Sequence, residues 1–283
     1  LQSLFPSNND SPYIELINEV EADADDDSKM PDQLKEALYT FLLGASAGYE
    51  NNDNGNRSML IHPSRLKAEH KKFYRWVKAE TNLLEQVLEN ERNGFSDESY
   101  KLKLDIFNNC YTNLLSTAGD LESLDDLMKR MIYVLRELKI ELINSGKDST
   151  ATVIDWDKNY AQIICSGAAV DRGTTVEGLT ITYMPRTSAG SQDTQIQRAR
   201  FLGYRGGYKN LIRIYVDNIS TRFYQNYHVA ESSIRNLIDE HTGRPFKEAV
   251  REWKLVKGFE SCREAAIKIS GAHKFKATGK FVT

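Results

Sequence analysis

Apolar positions change their spacing along this chain. After an acidic run, "EADADDDS" at positions 21–28, they fall at helical intervals: Leu34, Leu38, Phe41, Leu42 and Ala45 share one face, and Pro31 suits the first turn. The acidic run reads as a solvated linker or the approach to that helix. "ENNDNGNR" (50–57) is a polar loop, and Met59–Ile61 form a short apolar strand that Pro63 must stop. A long helix is predicted over about 65–93, with Phe73, Val77, Leu83, Leu84 and Val87 among its apolar positions. Two more follow, with Ser96 and Ser123 as N-caps.

The pattern then shortens. "KIELINS" (139–145), "AQIICSG" (161–167), "LTITYM" (179–184) and "NLIRIYV" (210–216) are apolar and β-branched, as buried strands are, and a helical segment over about 193–202 separates the last two. Helical spacing returns after Val216. These alternations predict an α/β domain with a parallel sheet over 58–217. A helical insertion occupies about 65–138, a linker and helix lie in 1–57, and a helical extension fills 218–283. In such sheets function gathers beyond the carboxyl ends of the strands.

Composition narrows the classes. The 283 residues carry a net charge of −3, so a nucleic-acid surface must be a local patch. Cys110, Cys165 and Cys262 have no zinc or disulfide spacing, which predicts a reducing, cytoplasmic setting. No apolar run is long enough for a membrane span, and no signal peptide is evident. The first residue is Leu1, not Met, which points to a fragment.

The chemistry-bearing motifs were weighed singly. "NSGKDST" (144–150) lacks the first glycine of a phosphate-binding loop and places Asp148 where a hydroxyl belongs. Asp125, Asp126, Glu137 and Lys139 imitate a magnesium nuclease site, yet lie in a helix-like stretch and do not clearly converge. The five histidines have no metal-binding spacing, so no metal ligand is assigned. "SGAAVDRGTTVEG" (166–178) is either a plain corner between strands or a ligand-facing loop. "DTQIQRARFLGYRGGYKNLIRIYV" (193–216) carries Arg198, Arg200 and Arg205 with no acid after Asp193. It is either a basic face paired with acids elsewhere or an arginine group for phosphate.

In order, the two segments resemble motifs V and VI of the second RecA-like domain of superfamily-two helicases. More closely, "LIHPSR", "DRGTTVEGLTITYMPR", "DTQIQRARFLGYRGGY" and "IRIY" resemble the Z1 domain, a family bearing an endonuclease label and found in bacterial restriction and phage-defence operons. Asp171, Thr174 and Arg198-Ala199 depart from its usual Ser, Leu and Met-Gly. The resemblance implies a RecA-like fold of the helicase C-terminal type, related to P-loop NTPases, forming half of a DNA-dependent ATPase or translocase. Arg200 and Arg205 would be arginine fingers, with Gln197 orienting them. Arg172, Gly173, Thr175 and Glu177 would border the nucleotide, and Ser64, Arg65 and Ser166 would contact DNA. ATP and Mg2+ would be held mainly by an upstream RecA-like domain, with other defence proteins as further partners. DNA cleavage, and a non-catalytic docking or DNA-binding role, are the alternatives.

Overall fold

The computed structural model describes residues 11–18, 29–49, 55–64, 66–95, 98–144, 149–150, 154–167, 175–185, 196, 198–199, 207–240 and 242–243. Six strands form one all-parallel sheet: β1 (Ile14–Leu16), β2 (Arg57–Ile61), β3 (Lys139–Ile143), β4 (Ala161–Ser166), β5 (Leu179–Met184) and β6 (Arg213–Val216). Their order across the sheet is β1-β6-β5-β2-β4-β3. The helices are α1 (Asp32–Tyr49), α2 (Lys67–Arg92), α3 (Glu98–Leu115), α4 (Leu124–Glu137) and α5 (Asn218–Glu240). The α/β reading is therefore correct, and α2, α3 and α4 occupy the stretch read as a helical insertion.

Three elements differ from the sequence reading. β1 joins the sheet beside β6, with Ile14 opposite Ile214, although its three residues were too few to show a period. β6 begins at Arg213 rather than Asn210, because Lys209–Leu211 form a 3-10 turn. α1 is buried nearly all round: Leu34, Ala37, Leu38, Tyr39, Phe41, Leu42, Leu43 and Ala45 have no exposed surface. Burying each large apolar side chain is worth about 1.5–3 kcal/mol. α1 thus anchors the main core, where Met59, Ile61, Ile163, Cys165, Ile181 and Tyr183 meet the helices.

The opposite face is covered in two patches. Leu60, Ile164, Val176 and Leu179 pack with Ile154 and Trp156. Met184, Ile212, Ile214 and Val216 pack with Tyr224 of α5 and with Ala199. Strands buried on both faces explain the continuous apolar runs in the sequence. Ser123 caps α4 as expected, accepting from the amide of Asp126. Ser96 and the helices read beyond residue 243 lie outside the described residues.

One polar group joins the helical layer. Lys103 of α3 donates to Glu80 of α2 at 2.6 Å and to the Tyr39 hydroxyl of α1 at 3.0 Å, and Tyr39 donates to Glu80 at 2.5 Å. Burial pushes the Glu80 carboxyl up. The hydrogen bonds from Lys103 and Tyr39, with the Lys103 charge, outweigh it and hold the group below its ordinary 4.5. This group fixes the position of α2, which starts beside the site described next.

Candidate functional site

The chain runs from β2 outward to β3, returns to β4, then crosses β2 to reach β5 and β6. The direction of winding therefore reverses around β2. The crevice beyond the carboxyl ends of β2, β4 and β5 is where ligands gather in parallel sheets.

His62, Pro63 and Ser64 follow β2 at this edge. The amide of His62 donates to the carbonyl of Tyr183, so the pairing of β2 with β5 continues past the last assigned strand residue. The Ser64 hydroxyl accepts from the amide of Leu66 at 3.0 Å, which turns the chain into α2. His70, in the first turn of α2, is buried; its Nε2 lies 2.8 Å from the Ser64 carbonyl and its Nδ1 2.5 Å from Oδ1 of Asn144, after β3. Nε2 must carry a proton to donate to that carbonyl. Nδ2 of Asn144 is buried without a hydrogen-bond partner. A half-turn of that amide would make Nδ2 the donor to Nδ1.

Gly167, after β4, closes the cluster. A Cβ there would sit 2.5 Å from His70 Nε2 and 2.9 Å from the Ser64 carbonyl. The ends of β2, β3 and β4 are thus tied through one imidazole. The sequence reading missed His70 and Asn144 because its search of the histidines was for metal-ligand spacing, whereas here the partners are an amide side chain and a carbonyl.

The residues proposed from sequence separate into groups. Ser64 stands at this edge, half-buried. Ser166 stands beside it but has no exposed surface, and its hydroxyl donates to the carbonyl of Ile143 at 2.8 Å. In this arrangement the hydroxyl ties the end of β4 to the end of β3. Thr175 and Glu177 are exposed, and Glu177 lies elsewhere: its carbonyl accepts from the Asn56 amide at 3.4 Å, just before β2 begins. A six-residue strand separates the two edges, about 20 Å. Glu177 is therefore not brought together with Ser64. Arg65, Arg172, Gly173, Gln197, Arg200 and Arg205 lie outside the described residues.

The amino edge is built differently. Gly178 has φ +61°, and a Cβ there would collide with the backbone carbonyl of Asn56. The glycine before β5 is needed for this close approach and left-handed backbone, not for a ligand. Arg57 is buried with its guanidinium 4.6 Å from the centre of the Tyr208 ring and donates to the carbonyl of Asn56 at 3.0 Å. Arg213 is equally buried and donates to the side chain and carbonyl of Asn113 on α3 at 2.5 and 2.6 Å. Asn113 in turn donates to Glu15 of β1 at 2.7 Å.

The nuclease-like acids are occupied by ordinary helix contacts. Asp125 pairs with Lys129, Asp126 accepts from Ser123, and Glu137 accepts from the Tyr49 hydroxyl at 3.0 Å. Among the described residues, no three His, Cys, Asp or Glu side chains come together as a metal site. A cavity of about 1070 Å³ lies among α1, α2, α3 and α4, lined by Tyr49, Tyr100, Tyr133 and Lys129. Tyr49, in its lining, packs edge-on against Tyr160, which precedes β4, and Ser64 is not among the residues that line it. Among the described residues, no helix is long and apolar enough to cross a membrane.

Sequence comparison decides the family: the Z1 domain profile matches residues 33–252, most of the chain. The chain belongs to the Z1 domain family. The Z1 match runs from the start of α1 through β6 and beyond α5, so β1 alone of the six strands lies outside it. No curated protein and no solved structure shows a significant match.

Proposed function

We propose that this Z1 domain is the helicase-like second half of a DNA-dependent ATPase or translocase in restriction or phage defence. Its fold would be RecA-like, and it would work against an upstream RecA-like domain. The observation that carries the reading is the placing of His62–Ser64 and Ser166–Gly167 at the ends of neighbouring strands at the reversal around β2, with an arginine-rich sequence between β5 and β6. Arg200 and Arg205 would reach the γ-phosphate of ATP gripped by the other half, where fork geometry and permanent charge stabilise the transferring group. Gln197 would orient them. Arg172 and Gly173 would border the nucleotide from the crossing between β4 and β5, and Thr175 and Glu177 would shape that crossing.

At this edge the half-buried Ser64 hydroxyl is the group offered to a phosphate, and the buried His70 imidazole holds its carbonyl in place. Asp217, which follows β6, is spent capping α5: it accepts from the Ser220 amide at 2.7 Å. Magnesium would therefore be held by the partner half, where it supplies charge neutralisation for phosphoryl transfer. DNA would meet Ser64 and Arg65.

The test is ATP hydrolysis with and without DNA, by this chain alone and by the chain joined to its upstream region. The expected result is DNA-stimulated turnover in the longer protein only. Turnover by the 283-residue chain alone at an ordinary enzyme rate would sink the reading. Cleavage is not carried forward, because the acids that suggested it have the helix partners given above.

A further inference from the structure

The first half of α2 carries Lys67, Lys71, Lys72, Arg75 and Lys78 against one acid, Glu69, in a chain that is acidic overall. The second half reverses this, with Glu80, Glu85, Glu89 and Glu91 against Arg92. A helix dipole favours the opposite distribution, so helix stability does not account for the pattern.

The positions are also ordered around the helix. His70, Phe73, Val77, Thr81, Leu84 and Leu88 face the core. Lys67, Lys71, Arg75 and Lys78, at intervals of four, four and three, form a separate stripe, with Tyr74 beside it. Lys67, Arg75 and Lys78 are exposed. Farther along the same face Glu85 and Glu89 meet Arg136 of α4, at 4.0 and 2.6 Å. The acidic half is thus tied to the helical layer.

Two neighbours extend the basic half. Lys78 lies 5.8 Å from the centre of the Tyr74 ring. Tyr74, Lys78 and Asn82 line one wall of a groove of about 240 Å³, and Lys139 of β3 lines the other. At the opposite end, the stripe begins directly after Ser64 and Arg65.

We propose that this face of α2 is a nucleic-acid backbone track, continuing the path of a strand from the carboxyl edge over the helical layer. The partner is a phosphodiester chain, preferentially single-stranded, since a basic stripe with an aromatic ring alongside suits stacking as well as charge. From Lys67 to Lys78 the stripe spans about 17 Å. The proposal rests on the reading of DNA as a partner but requires neither ATP nor the upstream domain.

The test is fluorescence anisotropy of a labelled 20-nucleotide single strand, without nucleotide, titrated with the full chain over a range of salt. Arg75→Glu/Lys78→Glu should weaken binding by tenfold or more and flatten the salt slope by about 1.4, at about 0.7 per lost phosphate contact. Lys101→Glu, an exposed site on α3, should change little, and melting temperatures report that both variants fold. Unchanged affinity and slope in the double variant would overturn the proposal. So would loss of binding to phosphatidylserine vesicles with DNA binding intact. If the longer protein hydrolyses no ATP while the double variant still loses DNA binding, the ATPase reading fails and the track stands.

Discussion

The two edges of the sheet use polar groups in opposite ways. At the amino edge, Arg57 and Arg213 are buried and tied to carbonyls, an amide side chain and a ring, and Gly178 is pressed against Asn56. At the carboxyl edge the polar groups are smaller: one imidazole and one amide side chain hold three strand ends together, and the chain leaving them carries serine and bases. The arginine alone therefore marks no function in this fold. A buried arginine whose donors end on carbonyls and an amide of the fold is a structural bolt, whereas those proposed for catalysis lie in sequence between β5 and β6. Arg198 shows the difference within one motif: it is buried, and its neighbour Ala199 packs its methyl group against the cluster around Ile214.

The sharpest break of the comparison is Gly178→Ala. The substitution needs a left-handed backbone and a collision with a carbonyl, so it should cost about 3 kcal/mol or more, read by chemical denaturation. The surviving folded fraction should bind DNA as wild type does, because Gly178 packs on Asn56 and on neither Ser64 nor α2.

Gly167→Ala should cost less, about 2 kcal/mol, because His70 is a side chain that can shift. Its signature is coupling. Adding His70→Ala removes the two nearest atoms that the new methyl would meet and leaves the Ser64 carbonyl, so the double variant should be more stable than the two single losses summed. Strict additivity would show that Gly167 and His70 do not share one packing node.

The smallest effect belongs to the helical layer that supports α2. Glu80→Gln should cost about 1.5 kcal/mol at neutral pH, the scale of a hydrogen bond to a charged group. Because the fold holds this carboxyl below its ordinary 4.5, its stabilisation is complete above that value and is lost as pH falls through the lower folded value. The gap between wild type and variant should close on acidification below about pH 4.5, as pH-dependent melting would show. A gap independent of pH would mean that packing, not charge, is lost.

Much of the sheet was legible because strands buried on both faces read as unbroken apolar runs: Leu179–Met184 was found to the residue. β1 was not, since Ile14–Leu16 offers only one turn of alternation and gains its identity from pairing with β6. β6 was read three residues too long at its start, because the apolar Leu211 and Ile212 continue the strand pattern through a segment whose first part turns as a 3-10 helix. The site was legible as motifs but not as geometry. The hydroxyl of Ser166 donates to the carbonyl of Ile143, and strand direction puts the backbone of Glu177 at the other edge, neither of which spacing along the chain could show. His70 acquires meaning only from Asn144, 74 residues away and just after β3.

The most direct measurement is the turnover number for DNA-stimulated ATP hydrolysis by the longer protein carrying Arg200→Ala, beside one carrying Arg213→Met, each normalised to folded protein. Loss of an arginine finger should lower turnover about 10³-fold or more with the melting temperature unchanged. Arg213→Met should lower stability and leave turnover per folded molecule as it was. Wild-type turnover from Arg200→Ala, or equal losses from both variants, would contradict the division between a structural amino edge and a functional carboxyl edge.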